Sequence, residues 1–207
     1  RLEQSLAQLL HVPHVVVVSG NADQDAQAMR DLGRAAAHRI HKLMQNGMTI
    51  AVAGGSTMRE VARGMQTAVP MDVTVIPARG GMGSGVETQA NTIAAEIARK
   101  VGGKHQSIHL PDNMDPAALQ EMMKLTEVAE TLTLLQNSTL VIHGVGRADT
   151  MAHQRRLTAD TMEMLQRKNA VGEAFGDFFD FEGRTVWQAS TVSATLSHQP
   201  TGSKMVA

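Results

Sequence analysis

The sequence predicts an α/β fold, a doubly wound, mostly parallel, Rossmann-like sheet. Three observations carry that reading. Short β-branched apolar runs alternate at least four times with segments whose apolar residues recur every three or four positions. Several of these runs end in glycine-rich loops, as strands feeding helices do in such sheets. The 207 residues hold no internal repeat or low-complexity linker, which suits a single domain over 1–207.

Taken in order, Val15-Val16-Val17-Val18 reads as a buried strand turning at Ser19-Gly20. Met29, Leu32, Ala36, Ile40 and Leu43 line one face of a helix over Asp23–Gln45, with Asn46-Gly47 as its stop signal. Met48–Ala53 is a second buried strand, broken by Gly54-Gly55-Ser56-Thr57 before a helix over Met58–Met65. Val73–Ile76 is a strand leading to the glycine-rich Arg79–Gly85. The stripe of Ala90, Ile93, Ala94, Ile97, Ala98 and Val101 predicts a helix over Val86–Val101. Ser107–Leu110 reads as a strand, Asp115–Gln136 as a helix opened by Asp115-Pro116, and Thr139–His143 as another strand. Helical pieces follow Gly144-Val145-Gly146 up to Lys168. Gly172–Gly176 reads as a turn, and a hairpin at Glu182-Gly183 leads into Thr185–Gln188.

Composition excludes several function classes. Lys+Arg total 19 against 20 Asp+Glu, a net charge of −1, which is not the basic surface that grips a nucleic-acid backbone. Aromatic residues make up 2%, too few for a base-stacking platform. There is no cysteine, hence no disulfide or thiolate metal site, and a reducing, cytoplasmic compartment fits. No apolar run approaches the ~18–20 residues of a membrane span, and Arg1-Leu2-Glu3-Gln4 does not open a signal peptide. The 14 methionines sit mostly at helical apolar positions, as gap-filling core residues do.

The chemistry concentrates in the loops after strands. Gly54, Gly55, Ser56 and Thr57 have the composition of a phosphate cradle, with close-approaching backbone donors, hydroxyls and a helix start, or of an ordinary turn capped by a hydroxyl. Arg79 brings a guanidinium to a strand end beside four glycines, suited to a phosphate or carboxylate. Gln89 and Asn91 could reach sugar hydroxyls. Arg147, Arg155 and Arg156 follow the third glycine loop, and Glu173 could accept from hydroxyls or act as a base. Of the histidine pairs 11/14, 38/41 and 105/109, His38 and His41 could share a helical face but have no third ligand within a turn, and His105 and His109 sit in a strand-like stretch, so no metal is expected.

Several motifs occur in one order: Gly54-Gly55-Ser56-Thr57, Pro77-Ala78-Arg79-Gly80-Gly81, Gln89-Ala90-Asn91-Thr92, His143-Gly144-Val145-Gly146, Thr150-Met151-Ala152 and Ala170–Gly176. Together they resemble the effector-binding domain of SorC-type bacterial transcriptional regulators, over about residues 5–195. The resemblance implies the fold of ribose-5-phosphate isomerase and glucosamine-6-phosphate deaminase. It implies a sensor without catalytic residues or cofactor, whose effector is fructose 1,6-bisphosphate or another sugar phosphate. It implies a homodimer or tetramer, and operator DNA held by an N-terminal domain that this chain, starting at a linker helix, does not include. By position, Gly54, Gly55, Ser56 and Thr57 would hold one phosphate, with Ser56 standing where the family commonly has threonine. Arg79 and Gln89 would contact effector, Glu173 the sugar hydroxyls, and Arg155, or Arg156 if the register slips by one, the second phosphate. Lys204 in Thr201-Gly202-Ser203-Lys204 would match a phosphate-binding lysine. The family places a strand before that motif and Ser197-His198-Gln199-Pro200 does not supply one, so a stretch is expected to be missing between Pro200 and Thr201. The alternative is an isomerase- or deaminase-like enzyme using Asp149 and Glu173, although no compact acid–histidine cluster supports it.

Overall fold

The computed structural model describes residues 1–81, 85–111, 114–189, 191–194 and 203–207. Its centre is a five-stranded, all-parallel sheet. β1 (Thr49–Val52) lies in the middle, with β2 (Thr74–Pro77) and then β3 (Lys104–His105) on one side. On the other side come β4 (Leu140–Ile142) and β9 (Lys204–Val206). Ile50, Ala51, Val75, Ile76, Leu140 and Val141 are fully buried, as expected of parallel strands covered by helices.

The helices follow from their own sequence. Asp25 accepts from the Gln27 N–H and so caps α2 (Ala26–Leu43), which buries Ala28, Gly33, Ala37 and Ile40. α2 lies against α3 (Ser56–Gly64) at backbone distance: a β-carbon at Gly33 would sit 2.6 Å from the Glu60 carbonyl, and one at Gly64 3.1 Å from the Gly33 oxygen. α4 (Ala90–Val101) buries the predicted stripe and ends at Gly102, in the left-handed conformation glycine tolerates.

A second, antiparallel sheet is built from β5 (Gly146–Arg147), β6 (Gly172–Ala174), β7 (Asp177–Phe179) and β8 (Thr185–Trp187). With α7 (Ala148–Gln154) and α8 (Ala159–Arg167) it encloses its own cluster of Ala148, Ala152, Leu157, Leu165 and Phe178. Trp187 meets Phe178 edge-on at 5.5 Å, and Met151, Met162 and Met164 fill around them.

Several sequence expectations are corrected. Val15–Val18 is neither strand nor buried: Val16 and Val17 are 53% and 41% exposed, and the Val17 N–H donates to Glu3 on α1 (Leu2–Leu9). β-branching favours extended backbone whether or not a ladder partner exists. α2 stops before Asn46-Gly47, whose Asn46 side chain and Gly47 N–H instead bond Asp72 and turn the chain into β1. The Val86–Val101 helix is broken at Gln89, with a short 3-10 turn (Val86–Thr88) before it.

The third-side strand is Lys104–His105 rather than Ser107–Leu110, because the Asn91 amide takes both backbone groups of Ile108 at 2.8 and 3.0 Å. Asp115–Gln136 is two helices, α5 (Pro116–Met122) and α6 (Thr126–Gln136). Gly172–Ala174 is a strand, and the turn itself is Phe175-Gly176. The junction at Pro200 and Thr201 lies outside the described residues.

Candidate functional site

The chain leaves β1 toward β2 on one side and later takes up β4 on the other. The loops beyond the carboxyl ends of β1, β2 and β4 therefore flank a crevice where such sheets bind ligands. All three glycine loops of the sequence begin here.

The loop after β1 is shaped by close approach. A β-carbon at Gly54 would sit 2.6 Å from the Thr88 carbonyl oxygen, and the Gly55 N–H donates to that same oxygen at 2.9 Å. Gly55, at φ 121° and ψ 167°, is the N-cap of α3, and among the described residues no side chain caps the helix. The first intrahelical donor is the Arg59 N–H, so the amides of Ser56, Thr57 and Met58 are left to an external acceptor. The Gly55 amide thus belongs to the fold, and the open donors are the next three amides, those of Ser56, Thr57 and Met58. Ser56 is exposed and Thr57 half-buried. Gln89 stands at the start of α4, beside this loop. Gly54→Ala should push the Thr88 carbonyl away, cost roughly 1–3 kcal/mol of stability and weaken anion binding, as thermal unfolding and calorimetry would record.

Arg79 follows β2 and is 8% exposed. Ala78 and Gly80 bond the antiparallel segment Val192–Ala194, and the guanidinium lies against Gly176, where a β-carbon would come within 2.9 Å of Cζ. Phe175 (φ 57°) and Gly176 (φ 94°) are both left-handed, the two-residue turn that joins β6 and β7 tightly.

That turn carries the acidic part of the site. Glu173, 3% exposed, accepts from Arg155 at 2.6 Å and from the Gly176 N–H at 2.5 Å. Asp177, half-buried, accepts from Gln188 at 3.2 Å. Burial pushes its carboxyl up, the Arg79 and Arg155 charges pull it down, and Glu173 pushes it up again. His143 is the first residue after β4 and is 6% exposed, its ring 4.6 Å from Phe175. Burial lowers its pKa, against a weaker upward pull from the Gly144 carbonyl and Glu173. The neutral ring donates from Nδ1 to the Gly144 oxygen at 3.1 Å, and Nε2 has no partner among the described residues.

The structure therefore gathers Gly54, Gly55, Ser56, Thr57 and Gln89 at one end of the rim, with Arg79, Arg155 and Glu173 around the β6–β7 turn. Arg155 rather than Arg156 meets Glu173; Arg156 is exposed. Lys204 is not brought there. It opens β9 opposite Leu140, at the amino-terminal side of the sheet, and its N–H bonds Thr139. Asn91 is held by Ile108 and is not a free sugar contact. Asp149 is paired with Arg147 on the surface, which holds its carboxyl down to about 2, too acidic to donate a proton near neutrality. A separate cavity of about 210 Å³ opens between residues 106–110 and α6 and includes none of the predicted site residues.

His143 and Asp177 were assigned no role from sequence. His143 was visible as a polar residue wedged between an apolar strand and a glycine loop. Asp177 had no signal beyond following Gly176.

Comparison with known proteins identifies the family and the fold. Residues 1–206 match the family described as "Putative sugar-binding domain". The central glycolytic genes regulator of Priestia megaterium is 36% identical over 197 residues, 94% of this chain and 58% of that protein. Its namesake in Bacillus subtilis is 32% identical over 196 residues, again 94% and 58%. The chain thus spans little more than half the length of the curated relatives it matches. Among solved structures, the "putative SorC family transcriptional regulator from Enterococcus faecalis" superposes with a TM-score of 0.87 at 35% identity, covering 95% of this chain and 81% of that one. The full-length sorbitol operon regulator SorC of Klebsiella pneumoniae shares the fold, with a TM-score of 0.87 at 18% identity over 95% and 66% of the two chains. These relatives are regulators rather than enzymes, which sets the isomerase alternative aside. The chain belongs to the sugar-binding domain family carried by SorC-type transcriptional regulators.

Proposed function

We propose that this domain is the effector sensor of a cytoplasmic transcriptional repressor and binds a phosphorylated sugar, fructose 1,6-bisphosphate or a related glycolytic intermediate, without altering it. The observation that carries the reading is the uncapped start of α3 on the same carboxyl rim as the buried Arg79 guanidinium. Backbone amides at a helix start and an arginine fork together make an anion site. Glu173 supplies acceptors for sugar hydroxyls.

A ligand reaching from α3 to the β6–β7 turn would tie the parallel sheet to the antiparallel one. Binding one arrangement better than another would shift the equilibrium between them by that difference in affinity. We place the readout in a dimer–tetramer equilibrium and in operator affinity, with DNA contacted by another part of the regulator.

Calorimetry tests the reading. Fructose 1,6-bisphosphate or fructose 6-phosphate should bind, and Arg79→Ala should weaken binding at least tenfold, since each charge-assisted hydrogen bond lost is worth about 1.5–3 kcal/mol. No heat with either sugar, from a folded protein, would refute it.

A further inference from the structure

We propose that the outer face of α2 is a docking surface for the phosphate backbone of duplex DNA, engaged without regard to base sequence. The sensor thereby adds phosphate contacts to those made elsewhere in the regulator. The inference is independent of which sugar the rim accepts.

The chain-wide charge of −1 averages two unlike groups of helices. α2, α3 and α4 hold eight Lys and Arg against three acids, a net +5. α5 to α8 hold six acids against Arg167 alone, a net −5. The basic helices form one layer. α2 meets α3 at Gly33 and Gly64, and Lys100 of α4 donates to the Arg63 carbonyl at 2.5 Å. The chain runs outward from β1 to β3 through α3 and α4 and returns to β4 through α5 and α6, so right-handed crossovers set α6 on the other face. Separation of this kind turns one side of a protein toward a polyanion and the other away from it.

Within the basic layer, α2 has the shape this partner needs. Its buried side is Ala28, Gly33, Ala37 and Ile40, and its exposed side carries Arg30, Arg34, His38, His41 and Lys42. From Arg30 to Lys42 that ridge spans ~18 Å at ~1.5 Å per residue. It lies alongside about five phosphates of one DNA strand at ~3.4 Å each. Arg30 rests on the uncharged Gln27 at 2.7 Å and keeps its full charge. Asp31 is the one acid of the helix, and its pairing with Arg34 is exposed, where such pairs are weak and a phosphate competes. His38 and His41 each add an N–H donor. The acidic α6 of a second copy also complements the ridge, but it lies on the opposite face, so one two-fold interface between copies cannot use both.

Fluorescence anisotropy of a short labelled duplex of arbitrary sequence, titrated with this chain from about 20 to 200 mM salt, tests the proposal. Binding should appear at the low end and fall with a log–log slope of about −3. Arg30→Glu with Lys42→Glu should weaken it at least tenfold and flatten the slope by about two. Lys124→Glu with Arg167→Glu makes the same change of charge among the acidic helices and should alter affinity by less than twofold. Equal losses in the two variants would assign the effect to net charge and overturn the proposal, as would no binding by the folded wild type. Should the α2 variant fold poorly, Lys42→Glu alone should weaken binding at least threefold. Sedimentation of the same samples covers the other occupant. Salt-sensitive self-association that the α2 variant abolishes, without duplex binding, would give the ridge to a second copy and overturn the DNA contact. None of these outcomes touches the sensor reading, which sugar calorimetry decides separately.

Discussion

Replacing Glu173 with alanine is expected to destabilise the domain by roughly 3–5 kcal/mol, because it leaves a largely buried arginine without its carboxylate. Arg155 is 21% exposed and loses its 2.6 Å partner, and the buried Gly176 N–H loses its acceptor. At about 2–4 °C per kcal/mol for a chain of this size, the melting midpoint should fall by roughly 6–20 °C. Glu173→Gln separates the two contributions. It can still accept from Gly176 and should keep the turn, while the Arg155 charge stays unpaired and the melting loss is intermediate. Sugar binding should fall in both variants, since the turn positions Gly176 under Arg79. A Glu173→Ala protein that melts like the wild type would show that the pair is not what holds the β6–β7 turn against the end of α7.

The second large effect is expected far from the ligand. Gly33→Val should cost about 3 kcal/mol or more, at the upper end of core overpacking. A β-carbon there would be 2.6 Å from both the carbonyl carbon and oxygen of Glu60, and backbone in a helix cannot rotate away. Glu60 is itself 6% exposed and tied to Arg59 and Arg63 at 3.2 and 2.8 Å, so the facing surface has little freedom to yield. Because α3 carries the open amides at its other end, prying α2 from it should also weaken sugar binding. Chemical denaturation with calorimetry on the same samples would show whether both losses occur. Gly33→Ala should give the same pattern in smaller measure.

Much of the parallel sheet was legible in the sequence because its signals are local. Three central strands are continuous apolar runs, and the α4 stripe matches its buried face residue for residue. What stayed hidden depends on partners distant in sequence. Val15–Val18 has the composition of a core strand, yet only pairing could make it one, and Glu3 takes its donor instead. Gly172–Gly176 reads as a turn from its two glycines, but a glycine in a strand also marks close packing, here of Gly172 with the Phe179 ring. The rim residues of α3 and β2 were found because glycine loops after strands have a mechanism attached. Lys204 was assigned by motif resemblance alone, and strand register puts it at the wrong end. His143 and Asp177 needed the second sheet folded over the rim before their surroundings existed at all.

The Asn91 amide that clasps Ile108 has a consequence for how the molecule behaves among its neighbours. The outermost strand is two residues long and begins with a lysine, and just beyond it a side chain occupies backbone groups that would otherwise have continued the ladder. A margin that short and charged is a poor template for a foreign strand, so concentrated solutions should resist edge-to-edge aggregation on that flank.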